Sequence, residues 1–274
     1  MITPRMTFAP LEGITTFLFR NAHHRLFGGA DRYFMPFFSP AAEHLLTARE
    51  LRELSPSNNF APGLVPQVMT RRAEDFLWAA EQVRDMGYSE VNLNLGCPSG
   101  TVAAKGKGAG FLARPEELDR FFAEVFEKTP LPVSVKTRLG IRDAEEFWPL
   151  LEIFNRYPIV ELTIHPRVQK EFYRGTAHRD VFARALEQSR NPVCYNGDLL
   201  TVEDCNALRA EFPQVASVMI GRGAIADPAL FRKMRGGPAA TREELQAFTG
   251  ELYEGYCRVY GQAGRSEERR VGEQ

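Results

Sequence analysis

The sequence lacks the features of membrane and secreted proteins. No apolar run approaches the roughly 18 residues that a membrane-spanning helix needs, and the N-terminus has no signal-peptide core. Cysteine is scarce, with 4 in 274 residues and none in a Cys-x-x-Cys pair. A chain of this length does not need disulfide bonds, so reduced thiols are expected. These absences predict a soluble, cytoplasmic protein.

A charge excess of either sign is also absent. Lys and Arg total 34 against 35 for Asp and Glu, which gives a formal net charge of -1 at pH 7. A polyanionic partner such as a nucleic acid would therefore need a local basic patch. The content of 44% hydrophobic and 25% charged residues is typical of a globular protein.

Short β-rich apolar runs alternate with helical stretches as far as about residue 235. They predict eight strands, at residues 7–11, 33–38, 64–69, 90–95, 132–137, 159–165, 192–196 and 217–221. Helices are predicted over residues 71–87 and from near Pro115, Asp143, Arg179, Thr201 and Asp227. This alternation predicts an α/β fold, a (β/α)8 TIM barrel. A doubly wound open sheet is the rival, but no G-x-G-x-x-G follows the first strand.

A last helix is predicted after G-G-P at 236–238, because Thr241 and Glu244 form a capping box before an apolar stripe. The predicted organisation is a barrel over residues 1–237 and a short C-terminal helical extension over 238–262. Residues 263–274 are predicted to be a disordered tail.

Polar residues alternate with apolar ones in several predicted strands. Because helices cover the outside of a barrel, the apolar residues point outward and the polar ones inward. Five polar residues then point inward near the C-terminal strand ends, where barrel enzymes have their active sites: Gln67, Asn94, Lys136, His165 and Asn196. Unpaired buried polar groups cost roughly 1–3 kcal/mol each. The cluster therefore predicts either a polar ligand or a network of internal pairs, such as Lys136 with Glu161.

The last two predicted strands end in N-G-D (196–198) and G-R-G (221–223). Barrels often bind phosphate at these two loops through backbone N–H groups, and Arg222 can add a bidentate contact. G-R-G alone is equally typical of an ordinary turn. Together with a lysine and a polar ring, it predicts a phosphorylated cofactor such as FMN.

Motifs in order along the chain resemble those of the tRNA-dihydrouridine synthases. They are A-P-L-E-G-I-T (9–15), Q-V-M (67–69), N-L-G-C-P-S (94–99), G-K-G-A-G-F-L (106–112), V-K-T-R-L-G (135–140), H-P-R-V-Q-K-E-F-Y-R-G (165–175), N-G-D (196–198) and M-I-G-R-G-A (219–224). The resemblance implies a barrel that binds FMN, takes hydride from NADPH and passes it to C6 of a flipped-out tRNA uridine. It implies no metal, no membrane and no obligate protein partner.

The resemblance also implies residue roles. Cys97 is expected to protonate C5 as the general acid, since a thiol is mostly protonated at neutral pH. Asn94 is expected to position the uracil, and Lys136 to stabilise negative charge at the N1/O2 edge of the flavin. The expected isoalloxazine contacts are Pro10, Leu11, Glu12 and Gln67. The expected contacts at the ribityl phosphate end are His165, Asn196, Gly197, Asp198, Gly221 and Arg222.

A basic segment follows the sixth predicted strand. It includes Arg167, Lys170 and Arg174, which are expected to contact tRNA phosphates. A solvated helix face explains part of this charge equally well. The chain also departs from the family pattern, because a helical RNA-binding domain usually follows the barrel and Gly100 stands where a lysine is frequent.

Two alternatives remain open at this point. The first is an FMN barrel that acts on a free pyrimidine, as dihydroorotate or dihydropyrimidine dehydrogenases do. The second is a non-catalytic flavin-binding or RNA-binding module.

Overall fold

The structure is a computed structural model that describes residues 4–271, with side chains described through residue 261. Its strands are β1 (Arg5–Phe8), β2 (Arg32–Phe34), β3 (Leu64–Val65), β4 (Gln67–Val68), β5 (Val91–Leu95), β6 (Val133–Arg138), β7 (Leu162–His165), β8 (Val193–Tyr195) and β9 (Ser217–Ile220). All strand pairs are parallel, in the order β3-β2-β1-β9-β8-β7-β6-β5-β4. β3 and β4 lie at the two ends of this order and are consecutive pieces of one short segment of the chain. The two edges of the sheet therefore come together, and the sheet forms a nearly closed barrel.

The break between β3 and β4 falls at Pro66, which has no N–H to donate to a ladder. β3 pairs with β2 on one side, and β4 pairs with β5 on the other. The Pro66 carbonyl still accepts a hydrogen bond from the Asn92 N–H at 2.9 Å. The strand predicted at 64–69 is therefore two short pieces, and it is the seam of the barrel. The other seven predicted strands are confirmed with shifted ends.

Helices follow the strands and cover the outside of the barrel. They are α1 (Phe17–Leu26), α2 (Ala48–Leu54), α3 (Ala73–Asp85), α4 (Gly100–Ala104), α5 (Pro115–Lys128), α6 (Phe147–Phe154), α7 (Arg179–Gln188), α8 (Val202–Glu211), α9 (Arg222–Ala226), α10 (Leu230–Met234) and α11 (Arg242–Val271). Short 3₁₀ turns lie at Pro56–Asn58, Gly108–Ala113, Ala144–Glu146 and Gln169–Glu171. The predicted helices are confirmed, and the predicted TIM barrel with a C-terminal helix is the observed fold.

The main core lies between the strands and these helices. In β5, Val91, Leu93 and Leu95 are each 0% exposed and belong to this core, as predicted from alternation. In α5, Phe121 and Phe122 pack into the same cluster. The outward faces of the strands are therefore sealed, and the polar residues between them face the barrel interior.

α11 is attached to the barrel at its first turns. The predicted capping box is present: the Glu244 N–H donates to Thr241 Oγ1 at 3.2 Å, and the Thr241 N–H donates to Glu244 Oε2 at 2.9 Å. Arg232 also donates to Glu244, and this bond together with the capping contact lowers the pKa of Glu244 to about 2. Phe248 packs edge-on against Phe19 and Phe27, with ring centroids 5.3 Å apart in both pairs.

The far end of α11 runs past the boundary predicted at residue 262. The helix continues to Val271 and so includes part of the segment for which disorder is predicted. Residues 272–274 of that segment lie outside the described residues. Within residues 4–271, no helix is both long enough and apolar enough to cross a bilayer.

Candidate functional site

A pocket opens at the C-terminal ends of the strands, between the loops that follow them. It brings together most of the predicted site residues: Pro10, Leu11, Glu12, Gln67, Asn94, Cys97, Lys136, His165, Asn196, Gly197, Asp198, Gly221 and Arg222. Three predicted RNA contacts, Arg167, Lys170 and Arg174, are not among its lining residues. Strand alternation and the sequence motifs together therefore located the pocket.

Side-chain amides form the pocket floor at the seam of the barrel. Gln67 Nε2 donates to Asn92 Oδ1 at 2.8 Å, and Asn94 Nδ2 donates to Gln67 Oε1 at 2.8 Å. Asn92 Nδ2 then donates to Ser134 Oγ at 2.8 Å. The pocket therefore contains an internal network as well as unpaired groups, and the network fixes which way the Gln67 amide faces.

Lys136 is not paired with Glu161, the internal partner that was considered from the sequence. Among the described residues, Glu161 instead accepts from Ser217 Oγ at 2.7 Å and lies 3.6 Å from Arg32 Nη1. Strand register places Lys136 opposite Asn94 on β5 and Thr163 on β7. Lys136 therefore has no internal ion-pair partner among the described residues, and it lines the pocket.

The turn after β5 holds Cys97 at the pocket edge. Asn94 Oδ1 accepts hydrogen bonds from the N–H groups of both Gly96 and Cys97, each at 2.9 Å. On the other side lies Gly108, with φ +56, where a Cβ would stand 2.9 Å from the Cβ of Cys97. Glycine is therefore required at that position if the second loop is to pack against the cysteine. Cys97 is partly exposed, whereas Cys194 and Cys205 are buried.

Burial and mutual repulsion shift the cations of the pocket. Burial, and after it the neighbouring charge of Arg138, lower the pKa of Lys136 to about 8. Burial likewise lowers the pKa of Arg138 to about 10. The pKa of His165 lies well below its ordinary value, first because the ring is buried and then because cations surround it. Among the described residues, neither Lys136 nor Arg138 has a salt-bridge partner, whereas Arg222 pairs with Asp198 at 2.8 Å.

The protonation state of His165 follows from its neighbour. Nη1 of Arg167 lies 3.2 Å from Nε2 of His165. A guanidinium group can only donate, so Nε2 accepts and the proton of the neutral ring is on Nδ1. His165 therefore offers one N–H donor on the side away from Arg167.

Asp198 joins the loops after β7, β8 and β9. Its carboxylate accepts from Arg167 Nη1 at 3.0 Å and Nη2 at 2.5 Å, and from Arg222 Nη2 at 2.8 Å. Asp198 has a left-handed backbone, with φ +44, which asparagine and aspartate tolerate better than most residues. The carboxylate positions Arg222 at the pocket mouth.

Arg167 is an internal residue, which differs from its expected contact with RNA. It is 1% exposed, and besides Asp198 it donates to the carbonyl oxygens of Arg174 at 3.0 Å and Gly175 at 2.6 Å. Its guanidinium is fully occupied in holding the loop after β7. Lys170 and Arg174 lie exposed on that same loop.

The loops after β8 and β9 meet backbone to backbone. A Cβ on Gly223 would lie 2.1 Å from the carbonyl oxygen of Leu199, and a Cβ on Gly221 would lie 3.2 Å from the Cβ of Ala9. The G-R-G sequence is therefore needed for close packing, which an ordinary surface turn does not require. The two loops form one continuous wall of the pocket beside Arg222.

The sequence was compared with protein-family models and with known proteins. The family model described as dihydrouridine synthase (Dus) matches residues 7–253. The chain belongs to the dihydrouridine synthase family. The tRNA-dihydrouridine(16) synthase of Ralstonia nicotianae is 32% identical over 240 residues, covering 85% of this chain and 73% of that protein. The probable tRNA-dihydrouridine synthase of Staphylococcus epidermidis is 31% identical over 245 residues, covering 84% and 72%.

Solved structures share the fold of this dihydrouridine synthase family member. A variant of NCR from Zymomonas mobilis superposes with a TM-score of 0.59 at 16% identity, covering 86% of this chain and 88% of that chain. Morphinone reductase superposes with a TM-score of 0.59 at 13% identity, covering 86% and 87%. These similarities support the barrel architecture.

Arg138 and Tyr173 are among the pocket residues that were not predicted as site residues from the sequence. Arg138 stands two residues after Lys136 in β6, so strand alternation was a sufficient signal for it. Tyr173 follows Phe172, which has φ +52, in a loop without periodicity. Its ring lies 5.4 Å from Cζ of Arg138 and 4.8 Å from Cζ of Arg222.

Proposed function

We propose that the protein is an FMN-dependent tRNA-dihydrouridine synthase, which reduces the 5,6 double bond of a tRNA uridine with NADPH as the reductant. The observation that carries the proposal is one barrel mouth at which Cys97, Lys136 and Arg222 converge. The chain belongs to the dihydrouridine synthase family, and its relatives named above are tRNA-dihydrouridine synthases or probable ones.

The residues of the pocket fit a phosphorylated flavin. Lys136 and Arg222 line it together, and burial disfavours the charged form of Lys136. A bound anionic group would stabilise that charge. Gly221 and Arg222 are neighbours on the pocket wall, where the Arg222 guanidinium would bind a phosphate.

Each pocket residue has a role in this proposal. Lys136 stabilises negative charge at the ring edge, and the Nδ1–H group of His165 donates to the ligand. The carboxylate of Asp198 keeps Arg222 in place at the phosphate end. The other flavin contacts would come from Pro10, Leu11, Glu12, Gln67, Asn196, Gly197 and Gly221. When bound and reduced, the flavin supplies the hydride for C6.

Cys97 completes the reduction. Its S–H bond breaks and a C5–H bond forms, which leaves a thiolate that later regains a proton from water. The second hydrogen of the Asn94 Nδ2 group remains free to contact the uracil, because one is used by Gln67. The uridine must be flipped out of the RNA to reach this depth.

We propose that tRNA phosphates contact the exposed Lys170 and Arg174. In this proposal residues 1–237 form the catalytic barrel and residues 238–262 a short C-terminal helical extension. Arg167 contributes indirectly, because it holds the loop on which those two residues lie.

Replacement of Cys97 tests the proposal. Cys97→Ala should bind FMN and accept hydride from NADPH normally, whereas dihydrouridine formation should fall by about 10²–10⁴-fold, the usual range for loss of a general acid. Mass spectrometry of an unmodified tRNA transcript measures the product, and flavin absorbance follows the reduction. Cys257→Ala is the matched control, since Cys257 is exposed on α11.

The outcomes separate the proposal from its alternatives. Undiminished dihydrouridine formation by Cys97→Ala would contradict the acid assignment. Activity of the wild-type protein on free uracil or dihydroorotate, with none on tRNA, would favour a free-pyrimidine oxidoreductase. A flavin that NADPH cannot reduce would favour a non-catalytic module.

A further inference from the structure

Arg138 is a buried cation at the barrel mouth to which the proposed chemistry assigns no direct role. It is the last residue of β6 and is 1% exposed. Burial of a cation is costly unless hydrogen bonds compensate for it. The partners of its guanidinium therefore indicate what the residue does.

Those partners are two backbone carbonyl groups, one in each of the loops that follow the two neighbours of β6 in the barrel. Nε donates to the Gly96 oxygen at 2.9 Å, and Nη1 donates to the Val168 oxygen at 3.2 Å. Gly96 belongs to the turn that carries Cys97, and Val168 belongs to the loop that carries Tyr173. Arg138 thus ties the turn after β5 to the loop after β7.

The bond to Gly96 fixes one particular peptide group. The Gly96 carbonyl and the Cys97 N–H belong to the same planar unit. Arg138 donates to its oxygen at 2.9 Å, while Asn94 Oδ1 accepts from its N–H at 2.9 Å. A peptide plane held at both edges cannot rotate.

The peptide group on the other side of Cys97 is held as well. Its carbonyl oxygen accepts from the Ala109 N–H at 3.1 Å. The two backbone torsions that flank the Cys97 Cα are therefore constrained. The side-chain torsion χ1 remains as the soft degree of freedom of the thiol.

We propose that Arg138 is a positioning residue that fixes the Cys97 thiol for proton transfer, an inference that rests on the proposed function. In that reaction the double-bond electron pair takes the thiol proton at C5, as the hydride from the reduced flavin is added at C6. Proton transfer needs a short donor–acceptor distance, and a misplacement of about 1 Å can cost about 10²-fold in rate. Loss of the Arg138 contact frees the peptide plane and so spreads the positions of the thiol.

Arg138→Met and Arg138→Lys test this role. Methionine fills similar space without a donor, and lysine keeps the charge but lacks the planar fork that reaches both carbonyls. Arg138→Met should keep FMN binding and flavin reduction by NADPH, while kcat for dihydrouridine formation should fall about 10²-fold at unchanged KM for tRNA. Arg138→Lys should recover part of that loss. Arg120→Met, an exposed arginine on α5, is the matched control and should behave as wild type.

A second measurement needs neither flavin nor tRNA. Hydrogen exchange of the FMN-free protein should become faster in Arg138→Met for the peptide that covers residues 91–112. Exchange in α1 and α5 should match the wild type. This result is expected if Arg138 holds the Cys97 turn specifically.

Three results would overturn the proposal. A raised KM with unchanged kcat would make Arg138 a substrate contact, and loss of FMN binding in both variants would make it a general structural residue. Unchanged kcat and exchange in Arg138→Met would remove the role altogether. If the proposed function itself is wrong, the wild-type protein will form no dihydrouridine, and this result is distinct from the three above. Hydrogen exchange would still test whether Arg138 holds the Cys97 turn.

Discussion

Lys136 illustrates how a barrel interior prepares a residue for an anionic ligand. In β6 its outward neighbours Val133 and Val135 are buried under helices, so the ammonium group has no route to bulk solvent on that side. The burial lowers the pKa of Lys136 to about 8. An anion that enters the pocket must therefore raise this pKa, which links ligand binding to proton uptake.

This linkage predicts the pH dependence of flavin affinity. Below about pH 8 Lys136 is already charged, so binding of FMN takes up no proton there. Above that pH binding must protonate the amine, and the affinity should fall by up to about tenfold per pH unit. Arg138, with a pKa of about 10, stays mostly charged between pH 7 and pH 9.5.

Titration calorimetry of the flavin-free protein with FMN between pH 7 and pH 9.5 measures the effect. Lys136→Met should bind FMN more weakly at pH 7 and should lose the decline above pH 8. An equal decline in this variant would show that another group takes up the proton.

Single residues differ in how far their environment can be predicted from the sequence. Alternation in the strands was enough to bring Gln67, Asn94 and Lys136 to one pocket, because the period of a strand is fixed. The burial of Arg167 could not be predicted from the sequence, because it depends on how the loop after β7 folds back over its guanidinium. Loop conformations have no periodicity from which to predict them.

At the scale of elements, the sequence was sufficient to predict that each strand is present, but not where each strand begins and ends. The strand predicted at 159–165 begins at Leu162, and Val160, expected to point outward into the core, is 41% exposed. In β7, Leu162, Thr163 and Ile164 pair with both neighbouring strands, and His165 pairs with β6. The helices α1, α2, α4 and α9 were missed, because short helices packed by tertiary contacts give weak periodic signals.

α11 is attached to the rest of the molecule mainly through α1. Phe248 is 6% exposed and packs on Phe19 and Phe27 of the α1 region. Further along, the hydroxyl of Tyr256 lies 2.8 Å from Oγ1 of Thr16, in the loop that follows β1. That loop also carries the pocket residues from Pro10 onward. The helix thus supports one side of the pocket.

Truncation of Phe248 should weaken this support. Phe248→Ala removes a ring from between two others, and the free energy of unfolding should decrease by about 3 kcal/mol, at the lower end of values for buried phenylalanine. Tyr253→Ala on the same helix is the control, because Tyr253 is 72% exposed and should change stability by no more than about 0.5 kcal/mol. Urea denaturation of both variants measures the difference, and equal effects would contradict the packing role of α11.

At the scale of the whole molecule, charge is balanced and any attraction for RNA must be local. The formal net charge is -1, yet the C-terminal face of the barrel carries cations on several loops. Lys170 and Arg174 are exposed there. Across the pocket, Glu12 is paired with Arg49, which leaves that rim closer to neutral. The RNA backbone is therefore expected to approach from the β7 side.

The salt dependence of tRNA binding tests this distribution of charge. Each phosphate contact that is lost should reduce the slope of log K against log salt concentration by about 0.7–0.9. The double replacement Lys170→Ala with Arg174→Ala should therefore weaken binding at low salt and reduce the slope by about 1.5.

The matched control, Lys128→Ala with Arg190→Ala, removes the same charge from exposed residues that precede β6 and β8, at the opposite end of the barrel. Filter binding of an unmodified tRNA transcript over a range of salt concentrations measures both slopes. Equal slopes in the two double variants would mean that net charge, and not the loop after β7, determines the attraction for RNA.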